Sequence, residues 1–127
     1  MTTRVFLPEK IARWISVQLP LADLDRIQIR LCRRIPFSWL VGNRTLAGIT
    51  FWSRIYVTEG SWCMEPTSRS SLELVVHELV HVLQYRRSPL LFPIRYAIDH
   101  LRYGYDNNPA EIEARNIASR VADSFFV

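Results

Sequence analysis

The segment that decides the fold runs from Ser70 to Tyr85 and reads Ser-Ser-Leu-Glu-Leu-Val-Val-His-Glu-Leu-Val-His-Val-Leu-Gln-Tyr. Apolar side chains such as Leu74, Val75, Leu79 and Val82 recur in it at helical spacing. Ser70 or Ser71 can cap the N-terminus, and a proline at position 89 ends the run. The pattern therefore predicts a long, largely buried helix, around which the rest of the chain must fold.

Within this helix, His77 and His81 are four residues apart. Side chains at i and i+4 project from the same helix face, so both imidazoles can reach one metal ion. Glu78, beside the first histidine, is placed to take a proton from a water on that ion. The spacing predicts a metal-dependent hydrolase centre with zinc as the ion. The alternative is a pair of histidines satisfied by hydrogen bonds alone.

A zinc hydrolase needs a third protein ligand. A metzincin-type continuation is excluded because position 84 is glutamine and position 87 is arginine. His100 is the remaining histidine, and we interpret it as a surface residue of its helix. Glu111 is the better candidate because it falls on the predicted buried face of the last helix, and a buried carboxylate must be paired or metal-bound. Glu113 is the fallback ligand, and a capping-box role opposite Asn108 is the alternative for Glu111.

The remaining segments predict helices and short strands in one α+β domain spanning residues 1–127. We expect a small antiparallel sheet packed on helices, with the His77–His81 helix at the centre and a C-terminal helix donating a glutamate. The expected elements are a helix over Glu9–Leu19, a strand over Arg26–Leu31, a loop over Pro36–Arg44, β-prone runs over Leu46–Phe51 and Arg54–Thr58, a helix over Pro93–Tyr103, and a last helix starting at Pro109. The two β-prone runs form either one bent strand or a hairpin.

The overall composition is that of a globular protein, with 49% hydrophobic and 22% charged residues. Cys32 and Cys63 are too few for a disulfide framework. With no apolar run long enough to span a bilayer and no secretory signal, we expect a cytoplasmic protein without a membrane partner. The net charge of +4 comes with two arginine groups, near residues 26–34 and 86–102, that we interpret as solvated surface rather than a nucleic-acid site.

Two motifs, Leu74–Tyr85 and Gly104–Ala114, resemble those of gluzincin-type metallopeptidases, in which a HExxH helix is followed by a helix donating a glutamate. The likeness is greatest to minimal one-domain, uncharacterised forms. It implies Zn²⁺ on His77, His81 and Glu111, with Glu78 as the base, and a strand within residues 46–57 beside the cleft. Many gluzincins carry, four residues after the ligand glutamate, an aspartate that orients a zinc histidine. This chain has Arg115 there.

These observations together predict a zinc peptidase acting on a peptide or protein substrate. Tyr105, Tyr103 and His100 are candidate donors to a developing oxyanion or to the substrate, with simple packing as the alternative for each. One rival function is a non-catalytic metal-binding scaffold or interaction module on the same fold. A second rival, a DNA-associated protease, is suggested by the positive charge and by Trp39, Trp52 and Trp62.

Overall fold

Four helices and a four-stranded sheet make up residues 2–35, 47–62 and 68–126, the part of the chain that the computed structural model describes. The combination confirms the α+β class. The cysteine at position 63, the tryptophan at position 39 and the loop expected over positions 36–44 lie outside these residues. The elements in chain order are β1 (Thr3–Val5), α1 (Glu9–Gln18), β2 (Gln28–Cys32), β3 (Gly48–Phe51), β4 (Arg54–Thr58), α2 (Arg69–Arg87), α3 (Leu91–Tyr103) and α4 (Pro109–Phe125).

The sheet has the strand order β1-β2-β4-β3 and is mixed, so the expectation of an antiparallel sheet was wrong at one pairing. Strands β2 and β4 run parallel, with Ile29 opposite Ile55, while both outer pairs are antiparallel. Burial accounts for the central position of β4. Ile55 and Val57 of β4 are fully buried, which draws β4 to the centre beside β2. Strand β3 is left at one edge of the described sheet, with β1 at the other.

A hairpin joins β3 to β4, which resolves the choice between a bent strand and a hairpin. Its turn holds Trp52 at φ 55°, a left-handed conformation that costs a non-glycine residue about 1–2 kcal/mol. Two contacts offset this cost. The Trp52 indole N–H donates to the carbonyl oxygen of Pro89 at 2.9 Å, and the ring packs on Tyr85 with centroids 5.1 Å apart. The hairpin is thereby attached to the C-terminal end of α2.

Helix α2 forms the centre of the core, as the sequence predicts, and packs against both the sheet and α4. Its buried side chains, apolar and polar together, point in all directions around the axis, which is typical of a helix covered on every side. The N-cap is Ser68 rather than Ser70 or Ser71, since the Ser68 hydroxyl accepts from the backbone N–H of Ser71. The Ser71 hydroxyl instead donates to the carbonyl oxygen of Ser61 at 2.7 Å.

Helix α4 lies along α2 through a face of small side chains, with Ala114, Ala118 and Ala122 fully buried. Alanine lets the two helix backbones approach closely, so a side chain in the first turn of α4 can reach the middle of α2. The start of α4 agrees with the sequence prediction. The Asn108 side chain accepts from the backbone N–H of Ala110 at 3.0 Å, and Pro109 is the first helical residue.

Helix α3 starts at Leu91, two residues earlier than predicted, because Pro93 is tolerated within a first turn whose N–H groups have no intrahelical partners. It packs far more sparsely against α2 than α4 does. No helix in the described parts of the chain has the length and apolarity needed to cross a lipid bilayer.

Candidate metal centre

Helix α2 brings His77 and His81 together, with their Nε2 atoms 3.2 Å apart. The first turn of α4 adds Glu111, whose Oε1 atom lies 2.8 Å from Nε2 of His77 and 3.2 Å from Nε2 of His81. A tetrahedral ion with bonds of about 2.0–2.1 Å sets its ligand atoms roughly 3.3–3.4 Å apart. The three atoms therefore lie at nearly the spacing that one small divalent cation requires. Two imidazoles with a carboxylate are also a ligand set that suits zinc.

Glu111 is buried and has both carboxylate oxygens engaged, since Oε2 accepts a hydrogen bond from the Tyr96 hydroxyl at 2.6 Å. The capping-box alternative is not observed, because the backbone N–H of Asn108 donates to the carbonyl oxygen of Tyr105. Burial by itself would raise the pKa of Glu111. The hydrogen bonds from His77 and His81 outweigh burial and hold this pKa well below its usual range.

Glu78 belongs to the same cluster but occupies a different position. Ligand-type atoms of His77, Glu78 and His81 all lie within 4.8 Å of one another, and the group could hold a metal ion. The Glu78 carboxylate is buried, and its Oε2 atom is 4.0 Å from Nε2 of His77. Burial raises the pKa of Glu78 above its usual value, although the two histidines act in the opposite direction.

Strand β3 fixes the position of the Glu78 side chain. The Thr50 hydroxyl lies 3.0 Å from Oε1 of Glu78 and 3.1 Å from the Glu78 carbonyl oxygen, so it can donate to either. Gly48 makes room for the same side chain. A Cβ atom at Gly48 would be 3.3 Å from Cγ of Glu78 and 3.3 Å from the carbonyl oxygen of Tyr56, which is tighter than most such contacts. Residue 48 is therefore small because Glu78 lies against its backbone.

Gln84 holds the other ring nitrogen of His81. The Nδ1–H of His81 donates to Oε1 of Gln84 at 2.7 Å, which leaves Nε2 facing the cluster. The Gln84 amide in turn donates to the carbonyl oxygen of Ala110 at 3.0 Å and to Oε1 of Glu113 at 2.9 Å. Arg87 also donates to Glu113, at 3.3 Å. Gln84 thus does for His81 what a second carboxylate does for many metal-bound histidines.

This arrangement explains how the chain accommodates Arg115 where gluzincins often carry an aspartate. The Arg115 guanidinium donates to the carbonyl oxygen of Asp106, on the surface, and leaves the histidines to other partners.

Glu113, the fallback ligand, lies outside the histidine cluster. Glu113 contacts Gln84 and Arg87 rather than the imidazoles, so the structure brings Glu111, and not Glu113, to the histidine pair.

A cleft of about 460 Å³ opens beside the cluster, between β3 and α3, and its walls are mostly apolar. Two of the three residues predicted to contact a substrate, His100 and Tyr105, line it. Tyr103 lies instead beside a separate groove on the other side of α3, so the structure does not bring it to the cluster. The residue that sequence reasoning missed is Tyr96. The sequence feature that could have indicated Tyr96 is its position four residues before His100, on the same face of the predicted helix.

Comparison of the chain with protein-family models, with curated proteins and with solved structures finds no match.

On the predicted ligand set of His77, His81 and Glu111, replacing Glu111 by glutamine should weaken zinc binding at least about 100-fold, because the set loses its anionic member while the shape of the site is kept. Glu113→Gln, the same change two residues along α4, should cost no more than about 10-fold, because Glu113 acts only through Gln84. Competition with a chromophoric chelator measures both affinities. Equal losses in the two variants would contradict the assignment of Glu111.

Gln84→Leu should weaken zinc binding about 10- to 100-fold, because His81 loses the acceptor that orients its ring. The double variant Gln84→Glu, Glu113→Gln exchanges the two side chains. The new glutamate at position 84 still accepts from His81, and the new glutamine at position 113 can donate to that glutamate. We expect this double variant to bind zinc more tightly than Gln84→Leu in the same chelator competition. A double variant as weak as Gln84→Leu would argue against an orienting role.

Zinc binding should release a proton and should weaken as the pH falls. Burial by itself would lower the pKa of His81, but the hydrogen bond to Glu111 and the charge of Glu78 raise it to about 9 in the metal-free protein. At pH 6–8 His81 therefore carries a proton that a metal must displace, and affinity should fall by up to about tenfold per pH unit. Titration calorimetry in buffers of different ionisation enthalpy counts the protons released. A count of zero at pH 7 would contradict this protonation state.

Proposed function

We propose that this protein is a zinc-dependent hydrolase, and specifically a peptidase, in which His77, His81 and Glu111 hold the ion. The observation that carries the proposal is a second buried carboxylate, Glu78, held beside the three candidate ligands but bonded to Thr50 rather than to them. A purely structural metal site needs no such group. Zinc, when bound there, supplies a Lewis acid that can lower the pKa of a water to about 7.

Glu78 is suited to the work of a general base. Thr50 bonds its Oε1 atom, so Oε2, on the side of His77, is the oxygen that accepts a proton. Burial raises the pKa of Glu78 above its usual value, which makes this carboxylate a stronger proton acceptor than an exposed one. The same Oε2 atom can then deliver that proton to the leaving amine. Thr50 and the close approach of Gly48 keep the carboxylate in one orientation throughout.

Strand β3 and helix α3 supply the walls for a peptide substrate. Residues Gly48–Phe51 line the cleft along one side, and β3 is an edge strand of the described sheet. An extended peptide would pair with this strand through backbone hydrogen bonds, which is a common mode of peptide recognition. The opposite wall is formed by α3, with Phe92, Tyr96 and Ala97 among its contributions.

His100 is the best candidate for a donor to the developing oxyanion. Its Nδ1 atom is buried without a hydrogen-bond partner among the described residues, and the residue lines the cleft. Buried polar atoms are usually paired, so this one fits a group whose partner is a substrate. The Tyr96 ring stacks against His100 at an interplanar angle of 10°, while its own hydroxyl is already committed to Glu111. Tyr105 remains a second candidate from the same wall.

A non-catalytic scaffold is the alternative function, and one observation favours it. Glu111 satisfies both histidines by direct hydrogen bonds, so the cluster is a complete ion-paired network with no further group. A protein that only needed to join α2 to α4 would be served by this network. The two functions differ in whether Glu78 matters for turnover.

Glu78→Gln should lower the rate of peptide hydrolysis about 10²- to 10⁴-fold, because the amide cannot accept the proton. Zinc content should remain unchanged, since the ligands are intact. The rate is measured on a pool of fluorescence-quenched peptides with zinc supplied, and zinc by elemental analysis. The matched control is Glu73→Gln, one turn earlier on α2, where the carboxylate is partly exposed and pairs with Arg69. Equal rates for wild type and Glu78→Gln, or no hydrolysis by either, would favour the scaffold.

A further inference from the structure

Helix α3 carries an apolar face that nothing in the described chain covers. None of its residues is buried, whereas every other α-helix of the described chain has buried residues. The exposed side chains recur at spacings of three and four, so they form one continuous stripe along the helix. We call this stripe, together with the residue that precedes the helix, the α3 ridge: Leu90, Leu91, Ile94, Ile98 and Leu101, each 54–88% exposed. Contiguous apolar surface of this kind marks an interaction site.

Positive charge runs along one flank of the ridge. Arg95 and Arg102 are seven residues apart, and both project within about 40° of Leu91 around the helix axis. Both are exposed, and neither has a carboxylate partner among the described residues. They line a shallow groove of about 900 Å³ between α3 and the facing ends of α2 and α4, with Arg87 on its other wall. The groove also holds two carboxylates: Glu113, which is bonded to Gln84 and Arg87, and Asp99, so the three arginines leave the groove with a net positive charge.

We propose that the α3 ridge docks onto the surface of an anionic phospholipid bilayer. In this orientation the leucine and isoleucine side chains enter the boundary of the acyl chains, while Arg87, Arg95 and Arg102 contact headgroup phosphates. A helix that lies in the membrane surface combines such an apolar face with basic residues at its edge. Trp52 extends the surface at the start of α3, where its indole is 49% exposed and bonded to the carbonyl oxygen of Pro89. Tryptophan favours the membrane–water boundary.

The charges argue against a second copy of the chain as the occupant. In an antiparallel pair of α3 helices, the flank with Arg95 and Arg102 faces the same flank of the other copy, and the one carboxylate there, Asp99, offsets only one of its two positive charges, so the facing flanks repel each other. A parallel pair sets the arginines beside the opposite, apolar flank, where the helix offers Leu90 and Ala97 but no carboxylate. Neither arrangement neutralises both arginines, whereas an anionic bilayer does.

Docking would also set the position of the cleft. Leu101 belongs to the ridge and lines the cleft as well, so the cleft opens beside the bilayer when the ridge is inserted. The earlier expectation of no membrane partner relied on the absence of a spanning segment, and a surface helix needs none. The docking proposal does not depend on hydrolysis, because no ridge residue belongs to the metal cluster.

The test is co-sedimentation of the full chain with vesicles of phosphatidylcholine alone or with 30 mol% phosphatidylglycerol. We expect at least about tenfold stronger partitioning onto the anionic vesicles, reduced several-fold in 0.5 M NaCl. Ile94→Ser combined with Ile98→Ser should weaken it at least about tenfold, and Arg95→Gln with Arg102→Gln should remove most of the preference for anionic lipid. The matched controls are Val17→Ser on α1, where the valine side chain is 80% exposed, and Arg120→Gln on α4. Both control variants should bind the vesicles as the wild type does.

Three results would overturn the proposal: no binding to anionic vesicles, equal losses in the ridge variant and Val17→Ser, or a concentration-dependent dimer that the ridge substitutions abolish in the absence of lipid. Far-ultraviolet circular dichroism of each variant verifies that it is folded. Repeating the sedimentation with Glu78→Gln, and with protein treated with a chelator, separates docking from hydrolysis. Unchanged binding in both samples is the expected result.

Discussion

The central constraint in this molecule is the burial of two carboxylates, Glu78 and Glu111, within one apolar core. Isolated buried anions are too costly to persist, so each must be paired, bonded or bound to a cation. His77 and His81 supply the partners from one turn of α2, and Thr50 and Tyr96 supply hydroxyl donors from β3 and α3. Elements from four parts of the chain therefore meet at one polar cluster, and the core is arranged around it.

The packing of α2 against α4 makes this meeting possible. Small side chains on α4 bring its first turn close enough for Glu111 to reach both imidazoles and for the carbonyl oxygen of Ala110 to bond Gln84. A larger residue at Ala114 or Ala118 would separate the helices and enlarge the ligand triangle. The spacing of the polar atoms is thus set by apolar contacts some distance from them, which is how a rigid scaffold preorganises a site.

Much of this arrangement could be predicted from sequence, because it rests on local periodicity. The positions of His77, Glu78 and His81 follow from helical geometry, and the buried face of α4 pointed to Glu111 rather than Glu113. What could not be predicted depends on contacts between distant elements. Tyr96 reaches Glu111 only because α3 forms the wall of the cleft opposite β3, and Gln84 acquires its role from α4. Likewise, the parallel pairing of β2 with β4 reflects competition for the centre of the sheet, which a strand pattern alone does not reveal.

The contact between Gly48 and Glu78 has an evolutionary consequence. The nearest atoms to a Cβ at residue 48 belong to Glu78 and Tyr56, so under the proposed function a single methyl group there presses first on the base rather than on the candidate metal ligands. A lineage of the proposed hydrolase could therefore lose turnover in one mutational step and still retain the candidate ligands, the fold and the HExxH signature. Among homologues of such a chain, the residue on the edge strand would separate active members from inactive descendants better than the helix motif does.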